Sequence, residues 1–89
     1  MNVKITNFNE APKAFIDYEV SDLAINQLNY LNENLKDETS INGDILKIRV
    51  YFEDIFPFQS EIAKIKLDDF IAREEIEMNL FLSSFLDDM

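Results

Sequence analysis

Residues 45–53, ILKIRVYFE, alternate without a break, with Leu46, Ile48, Val50 and Phe52 on one side and Lys47, Arg49, Tyr51 and Glu53 on the other. A period of two is the pleat of a strand, so this segment predicts a strand with one face in a core and one in water. A lone strand or hairpin is marginal in water, so partners are required. NVKITNF at 2–8 places Val3 and Ile5 opposite Lys4 and Thr6, and KAFIDYEV at 13–20 turns Ala14, Ile16, Tyr18 and Val20 inward and Phe15, Asp17 and Glu19 outward. With Pro12 in the connection, these two read as a hairpin. A short strand over Thr39–Ile41 leads into Asn42-Gly43, the dipeptide that most readily supplies the positive φ of a tight turn. EIAKIKL at 61–67 gives a further short strand, with Ala63, Ile65 and Leu67 opposite Lys64 and Lys66.

Two segments carry the helical period instead. Ser21 offers an N-cap with Asp22 in the first turn, and Ala24, Leu28, Leu31 and Leu35 then recur at spacings of 4, 3 and 4 with Ile25 beside them, ending near Lys36. Asn26, Asn29, Asn32 and Asn34 are poor helix formers, so packing of the leucine stripe must supply this helix's stability. The last element, capped by Asp68 or Asp69 and running to about Leu86, gathers Phe70, Ile71, Met78, Phe81, Leu82, Phe85 and Leu86 into one wide apolar arc. Ala72, Ile76 and Leu80 lie on its far side, and Glu74 and Glu75 project into the main arc. The expected fold is α+β in β-β-α-β-β-α order over residues 1–89, one domain, with a mainly antiparallel sheet and both helices on one face.

Composition narrows the chemistry. The chain has no cysteine and no histidine, which removes disulfides, Ser-His and Cys-His nucleophile pairs, and the usual zinc, copper and haem ligand sets. Gly43 is the only glycine, so phosphate-cradling glycine loops cannot occur. No window fits a calcium loop, and Glu74 with Glu77 has no histidine to complete a di-iron pattern. Eighteen acids guarantee some close carboxylate pair, so such pairs carry no catalytic signal. No enzyme activity and no cofactor is expected. Eighteen acids against eight bases give a net charge of −10, which repels nucleic acid and anionic membrane and attracts a basic protein. The acids fall in scattered pairs, Asp37-Glu38, Glu53-Asp54, Asp68-Asp69, Glu74-Glu75 and Asp87-Asp88; no phosphate-like row is legible in the sequence, so a DNA mimic stays open as a reading that requires folding to gather them into one. No apolar run reaches the length of a membrane span and the start MNVKITNFNE lacks the pattern of a secretory signal, so a cytoplasmic location is expected.

Three features bear on binding. Lys47, Arg49, Lys64 and Lys66 fall on one strand parity, either a small positive patch or charges paired across strands with Asp17, Glu19 and Glu53. EDIFPFQSE at 53–61 sets Ile55, Phe56, Pro57 and Phe58 between acids, where the rings either plug the core or anchor a partner inside a rim that includes Glu53 and Asp54. Phe15, on the outward parity of its strand, and Ile76 and Leu80, on the far side of the last helix, are further apolar groups beyond one small core. The partner-binding candidates are therefore Phe15, Ile55, Phe56, Phe58, Ile76 and Leu80, with Glu53 and Asp54. The pattern suits a non-enzymatic protein-binding module, an inhibitor or immunity-like protein of viral or mobile-element style whose field steers it onto a basic, often nucleic-acid-handling target. The alternative is a self-associating assembly component, a homodimer or larger, whose charge serves only solubility.

Overall fold

A computed structural model describes residues 1–9, 14–52 and 67–89. Strands β1 (Asn2–Asn9) and β2 (Ala14–Ser21) precede helix α1 (Ile25–Asn34), strands β3 (Glu38–Asn42) and β4 (Ile45–Phe52) follow, and helix α2 (Leu67–Leu86) ends the order. This is the ββαββα arrangement of a small α+β fold. The sheet is antiparallel throughout, with spatial order β1-β2-β4-β3. Most of the expected strand 61–67 lies outside the described residues, and its last residue, Leu67, belongs to α2.

The two inner strands carry the core. Along β2, Ala14, Ile16, Tyr18 and Val20 are all buried, and β4 adds Leu46 and Ile48 beside them. The parity expected for β2 is the parity observed, and in β4 it holds for Leu46, Ile48 and Val50. Both helices pack on this face: α1 through Leu28 and Leu31, α2 through Leu82. Phe70, Met78, Phe85 and Leu86 line the same core from α2, and the Tyr30 ring reaches Phe85 at 5.6 Å between centroids.

β1 departs from simple alternation. Its register runs Val3↔Val20 and Ile5↔Tyr18, then shifts so that Asn7 faces Asp17 and Phe8 faces Ile16. Thr6 is the extra residue of a bulge. Strict alternation would send Phe8 to the face opposite Val3 and Ile5; the bulge inverts the parity and packs Phe8 against the core.

Three local expectations are corrected. Ser21 does not cap α1, because it pairs with Asn2 as the last residue of β2. The chain then turns through Asp22 at φ 60°, a left-handed conformation that aspartate tolerates, and Ala24 occupies the N-cap. Alanine has no side-chain acceptor, so the end is closed from the other direction: Gln27 Oε1 accepts the Ala24 N–H at 3.0 Å. Ala24 and Ile25 are consequently exposed rather than part of the buried stripe. The turn between β3 and β4 is centred one residue later than the Asn42-Gly43 reading, since Asn42 still pairs with Ile45. Gly43 takes φ 66° as the first of two loop residues, as in a type II′ turn. Asp68 and Asp69 sit within the first turn of α2 instead of capping it, where the helix dipole still favours them.

Two stability experiments follow. Leu28→Ala and Leu31→Ala each remove a fully enclosed side chain, and each is expected to destabilise the fold by about 2–5 kcal/mol in denaturant unfolding. Ala24→Ser supplies the missing acceptor at an extended N-cap and is expected to stabilise by about 1 kcal/mol, read as a higher denaturation midpoint at constant slope.

Candidate protein-interaction surface

The helix α2 is apolar on two sides, and the fold uses only one of them. Leu82 is fully buried, whereas Ile76 and Leu80, four residues apart on the far side, stay 62% and 65% exposed. One exposed aliphatic group needs no explanation; two in register, with the exposed small residue Ala72 one turn earlier, make a stripe. The stripe borders the start of β1, an outer strand of the sheet. Between them runs an open groove of about 430 Å³, with Asn2 and Val3 on one wall and Ala72, Glu75, Ile76, Asn79 and Leu80 on the other.

The glutamates that break the main apolar arc have separate fates. Glu75 spans the gap between helix and sheet, its Oε2 accepting the Ile5 N–H at 2.8 Å. That bond occupies a backbone donor facing away from β2, on a strand with no neighbour on that side among the described residues. Glu74 is half-buried, and burial pushes its carboxyl above the usual range, with the nearby charge of Glu77 adding to the rise and Arg73 opposing it. The buried Tyr18 phenol is pushed up as well, first by burial and then by the fields of Glu74 and Glu77. Negative charge on α2 is thus felt inside the core.

Across the sheet, on the face away from the helices, polar groups are paired among themselves. Arg49 grips Asp17 with two hydrogen bonds, Nε to Oδ1 at 2.6 Å and a second terminal nitrogen to Oδ2 at 2.9 Å. The same guanidinium lies 4.0 Å over the Phe15 ring, which Tyr51 meets edge-on at 6.1 Å. Tyr51 Oη donates to Glu38 Oε2 at 2.7 Å. These hydrogen bonds from Arg49 hold the Asp17 carboxyl below its ordinary range despite partial burial. A hollow of about 300 Å³ here is lined by Lys47 and Arg49 but also by Asp17, Glu19 and Glu38. Arg49 stands opposite Asp17 and Lys47 opposite Glu19, so both of these bases have an acid across the strand, and Arg49 closes on its acid as an ion pair. Lys64 and Lys66 lie outside the described residues.

Of the partner-binding candidates, Ile76 and Leu80 come together on one groove. Phe15 sits on the opposite side of the sheet, half-buried and stacked under Arg49, so it shares no surface with them. Glu53, Asp54, Ile55, Phe56 and Phe58 lie outside the described residues. Sequence reasoning missed Asn2, Val3, Glu75 and Asn79 as groove walls; the one available signal was a glutamate at a position whose helical neighbours are apolar.

Residues 2–88 match DUF5750, a family of unknown function. The chain belongs to DUF5750. No curated protein matches it. Among the described residues of this DUF5750 chain, no helix is long and apolar enough to cross a membrane.

The two shifted carboxylates act on stability with opposite signs. Asp17 is lowered in the native state, so its contribution is present above the unfolded value and fades as pH falls through the native one; Glu74 is raised, so its ionised form works against folding at neutral pH and that penalty disappears on acidification. Asp17→Asn is expected to lower the melting temperature at neutral pH and Glu74→Gln to raise it, with both differences from wild type shrinking in melts at acid pH.

Proposed function

We propose that this chain works by binding another protein through the outer stripe of α2, and that the partner surface is basic. The carrying observation is the exposure of Ile76 and Leu80 side by side, bordering a groove, in a chain that buries the other face of the same helix. An apolar centre within a polar rim is the anatomy of a protein interface. The sign of the partner follows from charge: the net −10 of the chain raises encounter rates with a cationic surface and lowers them with an anionic one. An inhibitor or immunity-like role toward a basic, nucleic-acid-handling protein fits this field. Self-association is the weaker reading, since it would bring two such charges together.

Binding without catalysis is the matching chemical reading. The carboxylates placed by the fold have structural employment, Asp17 on Arg49 and Glu75 on β1, and the chain has no histidine or cysteine to act beside them.

The test is affinity capture from source cells with immobilised wild type and with the double variant Ile76→Asp, Leu80→Asp. The expected outcome is a basic protein retained by wild type and lost from the variant, whose association rate drops steeply with added salt. Equal retention by both, with the variant folded by circular dichroism, would overturn the reading.

A further inference from the structure

We propose that the occupant of the α2 groove is a basic amphipathic helix, held by two apolar side chains at its middle and a cation at each end. This rests on the protein-binding reading above and names what the partner presents.

The edge of β1 does not accept a strand. A partner strand adding to β1 would need free backbone groups along its outer side. Glu75 already takes the Ile5 N–H, and Val3 is only 7% exposed, so helix α2 covers this edge. What remains open is the helix face itself.

That face has a symmetric pattern. Asp69 precedes Ile76 by seven residues and Asp87 follows Leu80 by seven, close to two helical turns each, so all four lie on one side of the helix. Both aspartates are exposed. The Asp87 N–H donates to the Ser83 carbonyl at 3.2 Å, which carries helical geometry past Leu86 as far as Asp87. Ala72 and Ser83, between the anchors and the acids, are small and exposed and allow a second helix to approach closely. The span from Asp69 to Asp87 is about 27 Å at the rise of an α-helix.

Charge decides the class of partner. Within α2 the acids Asp68, Asp69, Glu74, Glu75 and Glu77 stand against a single base, Arg73, whose guanidinium lies 5.8 Å from the Phe70 ring. A second copy of this face would set Asp69 against Asp87 or against itself, acid on acid in either orientation. A helix with an apolar pair i, i+4 and lysine or arginine two turns beyond each end meets both anchors and both aspartates, and in both directions, because those four positions read the same from either end; Arg73, at the edge of the same side, has Ser83 as its mirror position.

The experiment titrates the isotope-labelled full chain with a blocked peptide that has lysines at the positions of the two aspartates, leucines at those of Ile76 and Leu80, and alanine and glutamine elsewhere. Saturable amide shifts centred on Ile76 and Leu80 are expected. Asp69→Lys with Asp87→Lys should weaken that binding by about tenfold or more and favour the same peptide ended in glutamate. Absence of shifts at millimolar peptide, equal binding of a version with a central proline, or indifference to the charge swap would each overturn the inference. So would a two-copy mass by light scattering that falls to one copy in Ile76→Asp, Leu80→Asp, since the chain would then cover the stripe itself. If the peptide fails while the captured protein is still lost from that double variant, the helix falls and the protein-binding reading stands.

Discussion

Everything in this fold is arranged around the inner face of β2. Ala14, Ile16, Tyr18 and Val20 form an unbroken buried row on a strand that pairs on both sides, and the other elements take their places by covering it. β1 and β4 extend the row sideways, and the helices close it from above. In a chain this small the surface buried per residue is modest, so one such row supplies a large share of what opposes the chain's conformational entropy. The surplus of α2 is a consequence: a sheet of four short strands has width for one side of a long helix, and the helix's other apolar side is left facing out.

The parts of this architecture that were legible in the sequence are those where one physical term dominates. Alternation in 14–20 and 45–52 reflects burial on one side of a pleat, and nothing competes with it. Leu28 and Leu31 were legible for the same reason at helical spacing. What sequence could not resolve was decided by pairing between segments. Ser21 is a good cap in isolation but is claimed by its partner Asn2 in the ladder, and Asn42 is a good turn residue claimed by Ile45. In each case two acceptable local structures differ by little, and a cross-strand neighbour chooses. The candidate site divides likewise. Ile76 and Leu80 were identifiable from the wheel alone, whereas the wall contributed by Asn2 and Val3 depends on where β1 comes to rest.

The acidic surface also has internal structure that a net charge conceals. Glu75 takes a backbone donor at the sheet edge, Asp17 orders an arginine over an aromatic ring, and Glu74 opposes folding at neutral pH. Only the remainder, including the exposed pairs at the two ends of α2, is left to shape a field in solution. The carboxylates inside the fold and those that face outward therefore respond differently to salt: the outward ones are screened, the inner ones much less.

The bulge at Thr6 divides β1 into two halves written in opposite phase. Before it, odd-numbered side chains face the helices; after it, Phe8 does. Within DUF5750 this ties the phase of the first strand to its length: a relative that lost Thr6 alone would alternate without a break and still pack the ring inward, whereas one that kept this residue without the bulge would turn Asn7 inward and Phe8 out. Single-residue gaps in this strand should accordingly collect at the bulge, a signature that comparison of family members can read without any further structure.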